Sequence, residues 1–245
     1  MVTIIIPVYK GAAFIADTVR SALNQSYTDW DLIVSDDGST DMSLQIAEHA
    51  AQGKLRILPH AANTGVAAAL NRGIRVSDPS KPFILTLGAD DVLAKDALLV
   101  LTNAIVDHGA ARGRAINIDP HTSLETFYTL AESVAATPPR KPRWGPVLMR
   151  RSLFQTYGLF DESLRHSTDG ELWIRLFGPD YTRTDRTTYT IVEKVILGRR
   201  VHEGQLLQRF KSYTPAQRRA EKEWMLALVK ARLVDPLAEG VVCLE

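Results

Sequence analysis

The chain has 245 residues, of which 45% are hydrophobic and 23% charged, and its formal net charge is +1. This length is enough for one α/β domain that buries its core without disulfides or structural metals, and the near-neutral charge gives no reason to expect a nucleic-acid partner. The lone cysteine, Cys243, excludes a disulfide framework within the chain and favours a reducing compartment. Because no apolar run approaches the length of a membrane span, we expect a cytoplasmic protein, with any membrane contact made at the inner face.

The first half of the chain alternates short apolar runs with helical patterns. Strands are predicted at residues 3–8, 31–34, 54–58 and 83–87, and helices at 14–23, 42–51, 66–76 and 97–106. Strands separated by helices predict βαβ units with a mostly parallel sheet. The acidic pairs Asp36-Asp37 and Asp90-Asp91 each follow a predicted strand, so we expect both at the carboxyl edge of the sheet, where such folds bind ligands.

The second half is less regular. It predicts strands at 115–119 and 190–197, helices at 122–136, 169–177 and 215–234, and a loop rich in proline and cations at 137–146. The basic and aromatic residues of that loop either close over a site or form a solvated loop. The last helix is amphipathic with basic flanks, and it either docks on the domain or on a second subunit or contacts a membrane surface.

Two acidic motifs are the first candidates for chemistry. Asp90 and Asp91 suit a hard divalent cation, which takes oxygen ligands and leaves positions open for phosphates; the alternative is a helix N-cap. Asp37, in a turn that begins at Asp36, could present its carboxylate to a nucleobase or ribose, whereas the alternative is a turn in which Ser39 or Thr40 caps the next helix.

Four further residues have a functional and a structural interpretation. Asn63 and Gly65 either bind a ligand or form a simple turn. Asp169 is either a general base or a helix cap, and His202 is either a metal or phosphate contact or a structural histidine.

The order of the motifs is more specific than any one of them. In chain order they are IIIPVY (4–9), VSDDGSTD (34–41), NTG (63–65), NRG (71–73), LGADD (87–91), LMRR (148–151), GLFDE (158–162), DGELWIRL (169–176) and RVHEG (200–204). Over residues 1–205 this set closely resembles the family 2 glycosyltransferases. The resemblance implies a GT-A fold, in which a Rossmann-like nucleotide-binding half (1–110) and an acceptor half (111–205) share one mixed central sheet. Residues 206–245 would form a C-terminal helical tail.

The resemblance also implies site residues. The residues it places along the nucleotide-sugar are Pro7, Val8, Tyr9, Asp36, Asp37, Asn63, Gly65, Ala89 and Asp90. It assigns Asp90, Asp91 and His202 to a divalent cation, Mn²⁺ or Mg²⁺, and it makes Asp169 the catalytic base. The chain departs from the family pattern at three positions, with Gly88 and Leu70 in place of an Asp and an Arg and Thr168 in place of a Glu.

The function implied is that of an inverting glycosyltransferase. It would move a sugar from a nucleotide-diphosphate donor, with UDP as the expected base, to a hydroxyl of a saccharide or lipid-linked acceptor during glycan or glycolipid biosynthesis. The three departures leave one alternative open, a catalytically silent nucleotide-binding or assembly subunit with the same fold. A sugar-nucleotide pyrophosphorylase is disfavoured because the glycine-rich turn after the first strand is missing. Peripheral membrane contact and a homo-oligomer are further expectations.

Overall fold

The computed structural model of the chain describes residues 1–133, 146–164, 168–178 and 187–203, together with positions 214, 216, 219, 223 and 227. The strands in this part of the chain are β1 (Val2–Val8), β2 (Trp30–Asp36), β3 (Arg56–Leu58), β4 (Phe83–Thr86), β5 (Asp91–Leu93), β6 (Ala110–Ile118), β7 (Val147–Arg150) and β8 (Tyr189–Arg200). The helices are α1 (Ile15–Leu23), α2 (Ser43–Ala51), α3 (Val66–Val76), α4 (Ala97–Ala104), α5 (Leu124–Ser133), α6 (Arg151–Tyr157) and α7 (Thr168–Phe177).

These strands form one sheet, in the order β3-β2-β1-β4-β7-β6-β8-β5. Strands β3, β2, β1 and β4 run parallel to one another. Strand β7 is antiparallel to both β4 and β6, β8 is parallel to β6, and β5 is antiparallel to β8. The sheet is therefore mixed, with a parallel half from the first part of the chain, as predicted.

Strand β1 is buried on both faces, which explains why its sequence is continuously apolar. Ile4 and Ile6 pack in the cluster that includes α1 and α2, whereas Ile5 packs in the cluster that includes α3, α6 and α7. Helix α3 approaches the sheet closely at Gly73, because a Cβ atom there would lie 2.6 Å from the Cγ2 of Ile5. This packing brings the start of α3 to the carboxyl edge of β2.

The prediction of the first half is largely confirmed, and α3 has the predicted bounds. Strands β5 and β7 and helix α6 were not predicted, because three to seven residues are too few to show a periodic pattern. The predicted strand 115–119 was too short, since β6 begins at Ala110. Its first residues include Arg112 and Gly113, which do not favour a strand by pattern; Arg112 pairs with both β7 and β8, and Gly113 lies at a register shift.

Some predictions concern residues outside the described ranges. The loop 137–146, apart from Pro146, and most of the helix 215–234 lie there, so their roles remain predictions. The same holds for the boundary placed at residue 205. Among the described helices, none is both long enough and apolar enough to cross a bilayer.

Candidate active site

The end of β1 and the turn after β2 meet at the carboxyl edge of the parallel half. The N–H of Asp37 donates to the carbonyl oxygen of Val8 (2.8 Å). Asp36 is buried, and one of its carboxylate oxygens accepts a hydrogen bond from the N–H of Ser39 (3.0 Å). Tyr9, just beyond the strand, is 47% exposed. The predicted segments at Pro7 to Tyr9 and at Asp36 and Asp37 are therefore neighbours, with the Tyr9 ring accessible to a ligand.

The loop after β1 is held by the turn that precedes α2 and by the first residue of that helix. Three of its backbone N–H groups donate to side chains there, from Lys10 to the Oγ of Ser39 (3.0 Å), from Gly11 to the Oγ of Ser43 (2.8 Å) and from Ala12 to the Oδ2 of Asp41 (3.2 Å). The idea that Ser39 or Thr40 caps α2 is wrong, because the helix begins at Ser43 without a side-chain cap. Ser39 instead fixes the loop that follows Tyr9.

Asp37 is the centre of a clamp between β2 and α3. Its Oδ1 accepts hydrogen bonds from the N–H (2.8 Å) and the hydroxyl (3.0 Å) of Thr64, and its Oδ2 accepts one from the N–H of Gly65 (2.9 Å). The backbone can approach this closely because Gly38 has a φ of +79° and no side chain, where a Cβ would lie 2.5 Å from the carbonyl carbon of Ala62. Asp37 is itself buried, and because a carboxylate offers about four acceptor positions, these three hydrogen bonds leave about one for a ligand.

Arg72 closes this clamp, although it was not among the predicted site residues. Its guanidinium donates to the Oγ1 of Thr64 (3.0 Å) and to the carbonyl oxygen of Asp36, and it lies 3.8 Å from the Oδ1 of Asp37. Leu70, where the family pattern has an Arg, is on the face of α3 that packs in the core. No pattern in the sequence marked Arg72, because Thr64 lies before α3 begins at Val66 and their contact depends on how the preceding loop folds.

The second acidic motif lies between β4 and β5. The Oδ2 of Asp90 lies 3.1 Å from the Nε2 of His202, and the imidazole of His202 packs on the ring of Phe14 at a centroid distance of 4.5 Å. Asp91 is the first residue of β5 and pairs with Arg199 of β8. Both acids turn toward Gly88, since a Cβ there would lie 3.0 Å from the Oδ1 of Asp90 and 3.1 Å from the Oδ2 of Asp91.

Asp91 has an unfavourable environment for a negative charge. Burial, and then the charge of Asp90, raise its pKa well above the ordinary range, and Arg199 and Arg200 offset this only in part. Its Oδ1 is buried and has no hydrogen-bond partner within the described residues. A cation bound by this carboxylate would remove both penalties.

Asp91 and Asp169 line one cavity of about 150 Å³, together with Arg199. Asp169 lies in the first turn of α7 with its side chain exposed, one residue after the buried Thr168. Trp173 also reaches this cavity, but it is buried in the core and packs edge-on against Phe177 at 4.3 Å. The topology therefore brings the predicted base to the acidic motif of a different segment.

Two further predicted residues lie near these motifs but make few contacts with the other predicted site residues. Asn63 is exposed beside the clamp. Ala89 is partly buried, and its carbonyl oxygen accepts a hydrogen bond from the Oγ1 of Thr18 (2.8 Å). In the described residues, no three His, Cys, Asp or Glu side chains are arranged to hold a metal ion, so the predicted set of Asp90, Asp91 and His202 is not a preformed cage.

Comparisons with known proteins concern the family and the fold of this chain. Residues 3–158 match the family described as glycosyl transferase family 2. The chain is 29% identical over 197 residues to an uncharacterized glycosyltransferase of Rickettsia prowazekii, a match that covers 72% of this chain and 58% of the relative. The chain therefore spans little more than half the length of that curated relative.

Two solved structures share the fold. A crystal structure of residues 1–349 of TarS from S. aureus, in complex with UDP-GlcNAc, superposes with a TM-score of 0.70 at 17% identity and covers 96% of this chain and 66% of its own. The mannosyltransferase PcManGT from Pyrobaculum calidifontis, in complex with GDP-Man and Mn²⁺, gives a TM-score of 0.60 at 17% identity and covers 98% and 76%.

Proposed function

Since the chain belongs to glycosyl transferase family 2 and has the GT-A fold, we propose that it is an inverting enzyme that transfers a sugar from a nucleotide-diphosphate donor to a hydroxyl acceptor. UDP is the base we expect, and the acceptor we propose is a saccharide or a lipid-linked saccharide in glycan or glycolipid biosynthesis. The observation that carries the proposal is the one cavity lined both by Asp91, whose Oδ1 is buried, and by the exposed Asp169.

The nucleotide has a prepared position at the carboxyl edge of β1 and β2. The exposed ring of Tyr9 offers a stacking surface, and Asp37, oriented by Thr64 and Gly65, offers an acceptor for an N–H of the base or for a ribose hydroxyl. Pro7, Val8, Asp36, Asn63 and Ala89 are the other residues we assign to this half of the donor.

The residues at the acidic motif fit a divalent cation. Asp90 and Asp91 supply carboxylate oxygens, which Mn²⁺ and Mg²⁺ prefer, and His202 adds an imidazole nitrogen beside Asp90. The buried Oδ1 of Asp91 is without a partner in the part of the chain that the structure describes. When bound, such a cation neutralises charge that develops on the diphosphate leaving group. The Mn²⁺ complex of the Pyrobaculum mannosyltransferase is consistent with this assignment.

Asp169 is the base in this proposal. The acceptor oxygen forms a bond to the anomeric carbon while the bond from that carbon to the diphosphate oxygen breaks, and the hydroxyl proton passes to the carboxylate of Asp169. A single displacement inverts the anomeric configuration. Its products are the new glycoside and the nucleoside diphosphate.

The test is calorimetric titration of UDP, GDP, ADP, CDP and dTDP, each with and without Mn²⁺, into the wild type and Asp91→Asn. We expect one nucleotide to bind more tightly with Mn²⁺, and we expect Asp91→Asn to lose that gain while it keeps the affinity measured without the cation. Asp96→Asn is the matched control, because Asp96 lies five residues away and pairs with Lys194; it should behave as the wild type.

Each result has a clear meaning. If the folded wild type binds none of these nucleotides, the proposed function is wrong. If a nucleotide binds but its sugar conjugate is not turned over with any acceptor or water, the catalytically silent subunit replaces the enzyme as the conclusion.

A further inference from the structure

We propose that Arg200 is a positioning residue that holds the imidazole of His202 against Asp90 through the ring of Phe14. Arg200 itself lines neither the cavity nor the clamp at Asp37. The inference rests on the proposed function, because the property it predicts is the cation-dependent part of nucleotide binding.

Arg200 is a buried cation at the end of β8, only 1% exposed. One guanidinium nitrogen donates to the Oδ2 of Asp17 on α1 (2.8 Å) and to the carbonyl oxygen of Thr122 (3.2 Å). A buried charge is costly unless it is paired, and replacing such a pair by apolar residues often leaves a protein equally stable. Stability alone therefore gives no reason for this arginine, and its position next to the site suggests another.

Phe14 connects Arg200 to the site. The guanidinium of Arg200 lies over the Phe14 ring, with its Cζ atom 5.7 Å from the ring centroid. The same ring packs against the imidazole of His202 at 4.5 Å with an interplanar angle of 38°. Because Phe14 immediately precedes α1 and Asp17 lies in its first turn, Arg200 holds the start of this helix at two points.

The backbone strengthens this connection. Arg200 is the last residue of β8 and His202 lies two residues beyond it, and the N–H of Val201 between them donates to the carbonyl oxygen of Ile118 (3.1 Å). The backbone N–H of Arg200 also donates to the carboxylate of Asp91. A change in the position of residue 200 would therefore displace His202 from Asp90, which lies 3.1 Å away.

The test compares Arg200→Met with Arg151→Met. Arg151 is a matched control because it is also buried, at 6% exposure, and its guanidinium donates to Ser77 and to carbonyl groups at the far end of α3. We measure the unfolding midpoint and the ratio of nucleotide affinities with and without Mn²⁺. Both variants should lower the midpoint, but only Arg200→Met should reduce the affinity ratio, by about 10–100-fold, as for residues that orient metal ligands.

A double-mutant cycle that combines Arg200→Met with His202→Ala tests whether Arg200 acts through His202. If Arg200 acts through His202, the double variant should have the same affinity ratio as His202→Ala alone, whereas losses that add would overturn the inference. Arg200→Lys, which keeps the charge but not the planar guanidinium, should fall between the wild type and Arg200→Met.

Other results would show that Arg200 does not position His202. If Arg200→Met keeps the full gain from Mn²⁺ with the same loss of stability as Arg151→Met, Arg200 is structural and the inference is wrong. If Arg200→Met does not fold, Phe14→Leu replaces it, since leucine fills the space but offers no ring face to His202; an unchanged affinity ratio there would overturn the inference. Absence of nucleotide binding in the wild type would instead count against the proposed function.

Discussion

Asp91 and Asp169 line the same cavity but have different environments. Asp91 is partly buried beside Asp90, with its Oδ1 fully covered, and burial raises its pKa, whereas the carboxylate of Asp169 is exposed at the start of α7. Two carboxylates in such contrasting environments suit two roles, one toward a cation and one toward the acceptor proton. This difference is the residue-level basis of the assignments proposed above.

Replacing Asp169 by Asn should abolish proton removal while it leaves the donor site intact. We expect the transfer rate to fall by about 10²–10⁴-fold, the usual contribution of a general base, with the Mn²⁺-dependent nucleotide affinity unchanged. The rate is measured with the donor found by titration, and Asp107→Asn, an exposed carboxylate distant in sequence and outside this cavity, is the control. Near-normal transfer by Asp169→Asn would exclude it as the base.

Helix α3 shows how an element contributes to the site. Its apolar face packs on the sheet through Leu70 and Ile74, while Arg72 on another face reaches back to Thr64 and to the end of β2. One helix therefore joins the core to the loop that orients Asp37. This arrangement predicts that stability and nucleotide affinity fall together when the hydrogen bonds of Arg72 are removed.

Arg72→Gln tests this prediction. The variant removes hydrogen bonds from a charged group, so we expect it to lower the free energy of unfolding by about 1–2 kcal/mol and to weaken nucleotide binding both with and without Mn²⁺. Arg75→Gln is the control one turn along α3, where the side chain makes an exposed pair with Glu162; such pairs contribute less than about 1 kcal/mol. Denaturant unfolding and titration measure the two effects, and equal behaviour of the two variants would contradict the clamp.

The stability of the whole molecule depends on contacts between segments distant in sequence, and Asp41 makes one of them. Burial alone would raise its pKa, but hydrogen bonds from Ser43 and from the N–H of Ala12 outweigh this, and the pKa is lowered below the ordinary 3.8. The ionised carboxylate thus links the loop after β1 to the turn before α2. Because the folded state holds this proton less tightly than the unfolded state, the stabilisation is complete above pH 3.8 and is lost as the pH falls through the lowered pKa.

Asp41→Asn should therefore be less stable than the wild type near neutral pH, and the difference should disappear in acid below the lowered pKa. The measurement is the free energy of unfolding in denaturant as a function of pH, with Asp107→Asn, an exposed side chain, as the control that leaves the profile unchanged. A stability difference that persists unchanged into acid would show that the ionised carboxylate is not responsible.

Much of the parallel half was predictable from local pattern. The continuous apolar run of β1 and the amphipathic periodicity of α3 are strong signals because each element is buried in its own characteristic way. The short strands β5 and β7 were missed, because they are held by pairing with β8 and with β4 and β6, and such pairing leaves no mark on three or four residues. The order of the whole set of motifs was sufficient to predict the family and the GT-A fold.

The candidate site, like the fold, was predictable from the sequence only in part. Residue types and motif order predicted Asp37, Asp90, Asp91, Asp169 and His202 as site residues, because carboxylates and an imidazole in these motifs suit a nucleotide-sugar and a cation. The distances between them depend on chain crossings that bring residues such as Asp90 and His202, 112 positions apart, to 3.1 Å. Arg72 and Arg200 could not be recognised from pattern, since an arginine acquires its role from the partners that folding places around it. The sequence by itself thus determines which chemical groups the motifs contain. The burial of Asp91 and the contact of His202 with Phe14 arise only when helices and strands pack together.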